Sequence, residues 1–232
     1  MSSLLPSALL FDHDGVLVAS EALHWAAWEK LLLTKGIPYN DSEIRALVGK
    51  TAPEILSELL DRHRPGWSRE QFDVHALAQE KNNIYMAIAQ TDLRAYPGVL
   101  EGLKWARSKG IKTAAVSNAR RRELESALRI VGILDWLDLV ISRDDSGVPK
   151  PDPAPYLMAM TSLGCEPSGC IAIEDSPPGL GAALLANIPS AAILTNFPES
   201  ALRHPVSGRP DLGPEWVFRT IEEFFDHLMQ II

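Results

Sequence analysis

Short apolar runs alternate with helical segments along much of this chain, and no other feature limits its fold as strongly. From Pro97 onward, stretches with helical periodicity are separated by apolar runs that are too short to be helices, and a similar run lies near the N terminus. Such alternation is typical of a parallel sheet covered by helices on both faces. The sequence therefore predicts an α/β fold with a Rossmann-like parallel sheet. The predicted strands are residues 8–11, 111–116, 139–141, 171–173 and 191–194.

The chain between the first two predicted strands is helical in its periodicity from Ser20 to about Gln90. One helix is expected to end at Gly36, and Thr51 can cap another. The spacing of Ser68 and Gln71 indicates a capping box at the start of a longer helix.

These patterns predict two domains. Residues 18–93 are expected to form a helical cap, inserted after the first strand of an α/β core made of residues 1–17 and 94–232. Near the C terminus, residues 196–216 are rich in Pro, Gly and Ser and are expected to form a surface loop. Thr220 is expected to start the last helix.

Two aspartates follow the first predicted strand in the stretch Asp12-His13-Asp14-Gly15. Open α/β sheets bind ligands at the carboxyl ends of their strands. A regular strand would point Asp12 and Asp14 to one side and His13 to the other. Crowded carboxylates repel each other unless a cation such as Mg²⁺ neutralises them, and Gly15 allows the backbone to turn close to a ligand. The alternative is a turn in which an aspartate caps a helix.

Three later segments present polar residues that can be interpreted in the same way. Ser117-Asn118 follows the second predicted strand and precedes a helical pattern, where backbone amides favour an anion. Lys150 lies between two prolines, and Glu174-Asp175 follow the fourth strand. Alternatively, Ser117 and Asn118 only cap a helix, Lys150 is a solvated surface lysine, and Glu174-Asp175 form a turn.

In order, the four segments carry Asp/Asp, Ser/Asn, Lys and Glu/Asp, and this pattern resembles the four motifs of the haloacid dehalogenase superfamily of phosphotransferases. The stretch from Phe11 to Glu21, with His24 and Trp28, is similar to the extended first motif of the β-phosphoglucomutase-like (CbbY-like) group, which has a helical cap. That group commonly has Asp before the Ser/Thr of this motif, whereas this chain has Ala19.

The resemblance implies a role for each motif residue. Asp12 would be the nucleophile that forms an aspartyl-phosphate, and Asp14 the acid and base that serves the leaving oxygen and then water. Asp14 would bind Mg²⁺ through its backbone carbonyl, and Glu174 would support the metal site. As an isolated residue, His24 would more often be a packing histidine. The implied residues are Asp12, Asp14, Ser117 and Lys150 for catalysis; His13, Ser20, His24, Lys50 and Asn118 for substrate binding; and Asp12, Asp14, Glu174 and Asp175 for Mg²⁺.

The expected activity is Mg²⁺-dependent hydrolysis of a small phosphorylated metabolite, either a sugar phosphate or phosphoglycolate. The alternative is a phosphosugar mutase, in which two basic residues beside a glycine of the cap hold the distal phosphate. Alignment on Gly49 places Val48 and Ala52 at those two positions and leaves Lys50, which favours hydrolysis. A regulatory protein with an acidic metal pocket is disfavoured, because Asp14, Ser117 and Lys150 are all present.

Composition limits partners and location. The net charge of −8 argues against nucleic acid or an acidic membrane as a partner. No apolar run reaches the length of a membrane span, and residues 1–6 do not resemble a signal peptide. Cys165 and Cys170 are more typical of a reducing compartment than of a disulfide framework. We expect a cytoplasmic monomer or weak homodimer.

Overall fold

The computed structural model describes residues 5–45 and 51–231 of the chain. The chain divides into two compact units, one made of residues 1–19 and 94–232 and the other of residues 20–93. The larger unit contains the sheet, and the smaller one is helical. That the helical unit acts as a cap remains a prediction.

The larger unit is built on one parallel sheet, which has six strands among the described residues. The strands are β1 (Ala8–Phe11), β2 (Lys112–Val116), β3 (Leu139–Ile141), β4 (Cys170–Glu174), β5 (Ser190–Ile193) and β6 (Trp216–Phe218). Their order across the sheet is β3-β2-β1-β4-β5-β6, and every pair is parallel. The predicted α/β fold with a Rossmann-like parallel sheet is confirmed.

Helices connect the strands and fill the second unit. They are α1 (Glu21–Lys35), α2 (Asp41–Arg45), α3 (Ala52–His63), α4 (Val74–Asp92), α5 (Val99–Ser108), α6 (Arg121–Ile130), α7 (Arg143–Ser146), α8 (Ala154–Leu163), α9 (Pro177–Leu185), α10 (Glu199–Leu202) and α11 (Ile221–Ile231). None of these helices combines the length and the apolar composition that crossing a membrane requires.

The helical unit follows the apolar pattern of its sequence. Helix α1 ends at Gly36, which adopts a left-handed conformation with φ of 60°. Helix α3 begins after Thr51, which forms a capping box with Glu54. The buried side chains of α3 pack in the core of this unit with those of α1 and α4, and they are Ile55, Leu56, Leu59 and Leu60.

The predicted start of the longest helix is wrong. Residues 69–71 form a turn, in which the Ser68 amide donates to Gln71 Oε1 at 3.2 Å, but the chain does not continue into a helix there. Helix α4 instead begins after Asp73, whose side chain accepts hydrogen bonds from the amides of His75 and Ala76. A carboxylate that satisfies two free amides at the first turn is a stronger start signal than the capping pair.

The predicted surface loop over residues 196–216 is only partly correct. It contains the short helix α10, whose Leu202 is fully buried, and it ends in strand β6, which the sequence interpretation missed. Strand β6 has three half-buried residues at the edge of the sheet, so its sequence lacks the apolar run that indicated the other strands.

Strand β1 lies in the middle of the sheet and pairs with both β2 and β4. Its four residues are fully buried. The chain runs outward from β1 in opposite directions on its two sides, so the sheet has its topological switch point between β1 and β4. The residues that follow β1, β2 and β4 therefore meet at one edge of the sheet, where open α/β sheets bind their ligands.

Candidate active site

Asp12 is the first residue after the central strand, and its position is fixed by the sheet. Its amide donates to the carbonyl of Ile173 in β4 at 2.9 Å, which continues the ladder by one bond. Phe11 pairs with Ala115 of β2 and with Ile173 of β4, so Asp12 lies between the residues that end those two strands.

Lys150 joins these strand ends. Its Nζ donates to Asp12 Oδ1 at 2.8 Å, to Glu174 Oε1 at 2.6 Å and to the carbonyl of Val116 at 2.6 Å. An ammonium group has three protons, so each has an acceptor. Burial lowers the pKa of Lys150, but the Asp12 and Glu174 carboxylates raise it by more, and the side chain stays charged.

The backbone of Lys150 is held by Asn118. The Lys150 amide donates to Asn118 Oδ1 at 2.8 Å, and Asn118 Nδ2 donates to the Lys150 carbonyl at 3.2 Å. This pair of bonds ties the loop that carries Lys150 to the residue after Ser117. The side chain of Asn118 therefore positions Lys150, while its backbone amide lies at the end of β2.

Glu174, the last residue of β4, is fully buried and heavily hydrogen-bonded. Besides Lys150, the hydroxyl of Tyr156 donates to its Oε1 at 2.7 Å, and Ser176 donates to its Oε2 at 3.4 Å. Burial and the nearby Asp12 carboxylate raise the pKa of Glu174 to about 7. A side chain at Gly179 would place its Cβ 1.9 Å from Glu174 Oε2, so glycine is required there.

Asp175 is also buried, and it faces the loop that follows β5. Its Oδ2 accepts a hydrogen bond from Asn196 Nδ2 at 2.7 Å. Gly15 packs against the same carboxylate, because a Cβ on Gly15 would lie 2.1 Å from Asp175 Oδ2. Burial and the carboxylates of Asp12 and Glu174 raise the pKa of Asp175 well above its usual range.

The acidic cluster can accept a divalent cation. Asp12, Glu174 and Asp175 each offer a carboxylate oxygen, and these oxygens lie within 4.8 Å of one another. Three ionised carboxylates and the ammonium of Lys150 leave a charge of −2, and this excess adds to the effect of burial in raising the pKa values of Glu174 and Asp175. A hard divalent ion with oxygen ligands would balance that charge, so the residues fit Mg²⁺.

The prediction that His13 points away from both aspartates is wrong. Strand β1 ends at Phe11, and residues 13–17 form a turn in which the amides of Leu17 and Val18 donate to the His13 carbonyl. His13 Nδ1 therefore lies 3.2 Å from Asp14 Oδ2, although without the alignment of a hydrogen bond. Burial lowers the pKa of His13, but the Asp14 and Asp12 carboxylates raise it above its ordinary value of 6.5.

Asp14 differs from the other acids of the site in its exposure. About two fifths of its side chain is exposed to solvent, at 41%. Its carboxylate is not part of the three-residue acidic cluster, so a role in metal binding would use the backbone carbonyl, as the family resemblance implies.

Ser117 completes the set of predicted residues in the larger unit. It is buried, and its Oγ accepts a hydrogen bond from the amide of Ala119 at 3.0 Å. The structure thus brings together at one sheet edge the predicted residues Asp12, His13, Asp14, Ser117, Asn118, Lys150, Glu174 and Asp175.

The other predicted substrate residues belong to the helical unit. Ser20 is buried and precedes α1, where its carbonyl accepts from the amides of Leu23 and His24. His24 Nδ1 lies 2.7 Å from Lys81 Nζ, and the ring stacks on Tyr85 with 3.9 Å between centroids. Lys50 lies outside the described residues.

Sequence reasoning missed Tyr156 and Asn196. Asn196 follows the predicted strand 191–194 closely, so the rule that located the other site residues could have found it. Tyr156 lies on α8, and only the packing of that helix against the sheet brings its hydroxyl to Glu174. Helical periodicity marks such a residue as core and gives no indication of its hydrogen bond.

Three curated relatives are similar to most of this chain. Validoxylamine A 7′-phosphate phosphatase of Streptomyces hygroscopicus subsp. limoneus is 32% identical over 196 residues, which are 83% of this chain and 88% of that protein. A phosphorylated carbohydrates phosphatase of Thermotoga maritima is 32% identical over 183 residues, 78% of this chain and 82% of that protein. A phosphoglycolate phosphatase of Nitrosococcus oceani is 31% identical over 187 residues, 78% of this chain and 81% of that protein.

The fold has solved counterparts. The crystal structure of a β-phosphoglucomutase from Clostridium difficile matches with a TM-score of 0.74 and 25% identity, over 98% of this chain and 97% of that one. The family model of haloacid dehalogenase-like hydrolases matches residues 6–187, which include all four motifs. The chain therefore belongs to the haloacid dehalogenase-like hydrolases.

Proposed function

We propose that this enzyme is a Mg²⁺-dependent phosphatase that hydrolyses a small phosphorylated metabolite, either a sugar phosphate or phosphoglycolate, through an aspartyl-phosphate on Asp12. The observation that carries the proposal is the buried contact of Lys150 with Asp12 and Glu174 beside a cluster of carboxylates that could hold a divalent cation. The names of the relatives, which are phosphatases of carbohydrate phosphates and of phosphoglycolate, support the reaction class.

In the first step, a carboxylate oxygen of Asp12 attacks phosphorus, and the bond from phosphorus to the ester oxygen breaks. An ionised carboxylate needs no base to act as a nucleophile. Asp14 gives its proton to the leaving oxygen, and its partial exposure leaves it accessible to the leaving group. General acid catalysis of this kind contributes about 10²–10⁴ to the rate.

In the second step, water attacks the aspartyl-phosphate. Asp14, now ionised, removes a proton from this water, and the bond from phosphorus to Asp12 breaks. Inorganic phosphate leaves, and both aspartates return to their starting states. The same residue thus serves as acid and then as base.

The phosphoryl oxygens need positive charge and hydrogen-bond donors during both steps. The Lys150 ammonium lies 2.8 Å from Asp12 Oδ1 and supplies a fixed charge beside the reacting carboxylate. The Ser117 oxygen accepts from Ala119, so its own proton is free to donate to phosphate. Backbone amides near His13 and Asn118 would add further donors. Mg²⁺, held by Asp12, Asp175 and the Asp14 carbonyl with support from Glu174, would supply charge neutralisation of the phosphate.

We also propose that residues 18–93 form the cap domain and select the substrate, with Ser20, His24 and Lys50 as candidate contacts. Of the two cap positions that are basic in the mutase, Val48 lies outside the described residues, and Ala52 is the first residue of α3. An apolar Ala52 cannot hold a distal phosphate, which favours hydrolysis over phosphosugar isomerisation.

A panel of phosphorylated metabolites, including hexose phosphates and phosphoglycolate, tests the proposal by release of inorganic phosphate. The same protein is given β-glucose 1-phosphate with catalytic glucose 1,6-bisphosphate, and glucose 6-phosphate is followed beside free phosphate. We expect phosphate release from at least one small monoester and no appreciable isomerisation. Rapid formation of glucose 6-phosphate without phosphate release would instead establish the mutase.

A further inference from the structure

Asn196 makes a hydrogen bond that fixes the orientation of its side chain. Its Nδ2 donates to Asp175 Oδ2 at 2.7 Å. In the ionised state that cation binding requires, the Asp175 carboxylate can only accept, so the amide nitrogen then faces Asp175 and the amide oxygen points elsewhere. Because the carboxylate decides the orientation, nitrogen and oxygen cannot be exchanged without placing two acceptors against each other.

The amide oxygen of Asn196 is buried and lacks a donor. Among the residues that the structure describes, no group donates a hydrogen bond to Asn196 Oδ1. Buried polar atoms in folded proteins nearly always have a partner, either from the protein, a water or an ion. Asn196 Oδ1 therefore indicates a donor that does not belong to the described part of the protein.

The loop that carries Asn196 is packed closely against the cluster. Thr195 Oγ1 donates to the carbonyl of Gly15 at 2.7 Å. A Cβ on Gly15 would lie 2.1 Å from Asp175 Oδ2 and 2.7 Å from Asn196 Nδ2, so these three residues leave no room for a side chain between them. The position of Asn196 is thus set by the hydrogen bond of Thr195 to Gly15 and by the close packing of Gly15, as well as by its own bond to Asp175.

We propose that Asn196 is a part of the divalent-cation site, in which Nδ2 holds Asp175 in position as a ligand and Oδ1 accepts a hydrogen bond from a cation-bound water. A cation in this cluster would keep several water ligands, and such waters are strong donors. Groups that orient a metal ligand commonly change metal affinity by 10–100-fold when they are removed. The inference rests on the proposed function, since it assumes that Asp12 and Asp175 bind the cation.

Mn²⁺ binding provides a measurement that does not depend on turnover. The full-length protein is titrated with Mn²⁺, free ion is followed by electron paramagnetic resonance, and Mg²⁺ is then used as a competitor. We expect the Asn196→Ala variant to bind Mn²⁺ about 10–100-fold more weakly than the wild type, with a matching loss in Mg²⁺ competition. The control is Glu199→Ala, which removes an exposed ion pair with Arg203 in the same loop region and should bind Mn²⁺ as the wild type does.

The outcomes separate this inference from the proposed function. If the wild type binds no Mn²⁺, the cation site of the proposed function does not exist, and the inference fails together with it. If the wild type binds Mn²⁺ tightly and Asn196→Ala binds it with equal affinity, the inference alone is overturned. The same holds if Asn196→Ala has a lower melting temperature but an unchanged affinity, because loss of an ordinary buried water at Oδ1 would lower stability without affecting the cation. If Asn196→Ala does not fold, Asn196→Leu, which keeps the side-chain volume, is titrated against the same criterion.

Discussion

Lys150 directs all three ammonium protons to neighbours within the cluster, two of them to carboxylates and one to the Val116 carbonyl. It is therefore a fixed counter-charge for Asp12 and Glu174, and it would have to exchange one of these partners to bond directly to a phosphate oxygen. This arrangement would keep the proposed nucleophile, Asp12, oriented before the substrate arrives, which lowers the entropic cost of the reaction.

Replacement of the proposed nucleophile, Asp12, provides the first prediction. Asp12→Asn keeps the size of the side chain and an oxygen that can accept from Lys150, so we expect the protein to fold. It loses the charge needed for attack on phosphorus, and turnover should fall by a factor of about 10³ or more. Phosphate release and circular dichroism are compared with Asp211→Asn, a change in an exposed loop. Phosphate release near the wild-type rate from folded Asp12→Asn would refute the mechanism.

Gly15 illustrates how a single residue can serve both backbone and site. It has a φ of 80°, and a Cβ there would meet the Asp175 carboxylate at 2.1 Å. Gly132 has a similar φ of 74°, but a Cβ there would meet nothing within 4 Å. We expect Gly132→Ala to lower the free energy of unfolding by about 1–2 kcal/mol, the cost of left-handed strain alone.

Gly15→Ala should cost more than Gly132→Ala, because strain and the collision with Asp175 act together, and it should also abolish phosphate release. Urea denaturation of both variants measures the difference. Equal losses of stability, with activity retained in Gly15→Ala, would show that the close approach of Gly15 and Asp175 affects neither stability nor activity.

Among the elements of the fold, the start of α4 offers a direct comparison between two capping signals. Asp73 accepts from two amides of the first turn, whereas Ser68 and Gln71 only stabilise the preceding turn. We expect Asp73→Ala to lower the free energy of unfolding by about 1 kcal/mol and Ser68→Ala to have a smaller effect. Chemical denaturation of both variants checks the order, and the reverse order would show that Asp73 is not the stronger of the two capping signals.

Helices α6 and α7 are joined by an ion pair whose strength depends on pH. Partial burial raises the pKa of Asp145, but hydrogen bonds from Ser142 and the guanidinium of Arg121 lower it by more, to below its ordinary value of 3.8. A carboxylate whose pKa is lower in the folded state contributes stability above its unfolded pKa, and it loses that contribution as pH falls through the folded pKa.

Asp145→Asn should therefore be less stable than the wild type near neutral pH, and the difference should shrink below the ordinary pKa of 3.8. Urea midpoints measured at several pH values check this. The exposed Asp226→Asn in α11 is the control and should show no such trend. A difference that stays constant down to the lowest pH would exclude a contribution from the Asp145 charge.

The accuracy of the sequence predictions depends on whether a strand is buried in the sheet or lies at its edge. Buried strands such as β1 and β4 were predictable, because their apolar runs are too short for helices and need burial on both faces. The polar residues that follow them, such as Asp12 and Glu174, were located by the same rule. Strand β6 was not, since it is short and half-buried.

Side-chain contacts between distant parts of the chain could not be predicted from the sequence, for a different reason. The bond between Tyr156 and Glu174 depends on how α8 packs on the sheet, and the approach of His13 to Asp14 depends on where β1 ends. Such contacts arise from tertiary geometry, for which residue spacing along the chain carries no signal. The Asn196 bond to Asp175 is an intermediate case, because the strand rule indicates the position but not the partner.

For the molecule as a whole, we expect the buried acidic cluster to link folding to cation concentration. When Asp12, Glu174 and Asp175 are all ionised, they exceed the positive charge of Lys150 by two, so without a cation their burial and mutual repulsion oppose folding. A cation that binds only the folded state stabilises it by about 2.7 kcal/mol at 100 times its Kd. For a chain of 232 residues this corresponds to a rise of roughly 5–10 °C in Tm.

Asp175→Asn should weaken the dependence of stability on the cation, because it removes one of the repelling charges and one ligand at the same time. In EDTA we expect the variant to melt at the same temperature as the wild type or above it, whereas in saturating Mg²⁺ the wild type should melt higher. Phosphate release by the wild type should disappear in EDTA and return with Mg²⁺. Melting curves of both proteins in EDTA and in Mg²⁺ provide the test. Parallel behaviour of the two proteins, or full activity in metal-free buffer, would mean that the charge excess of this cluster is balanced by something other than a divalent cation.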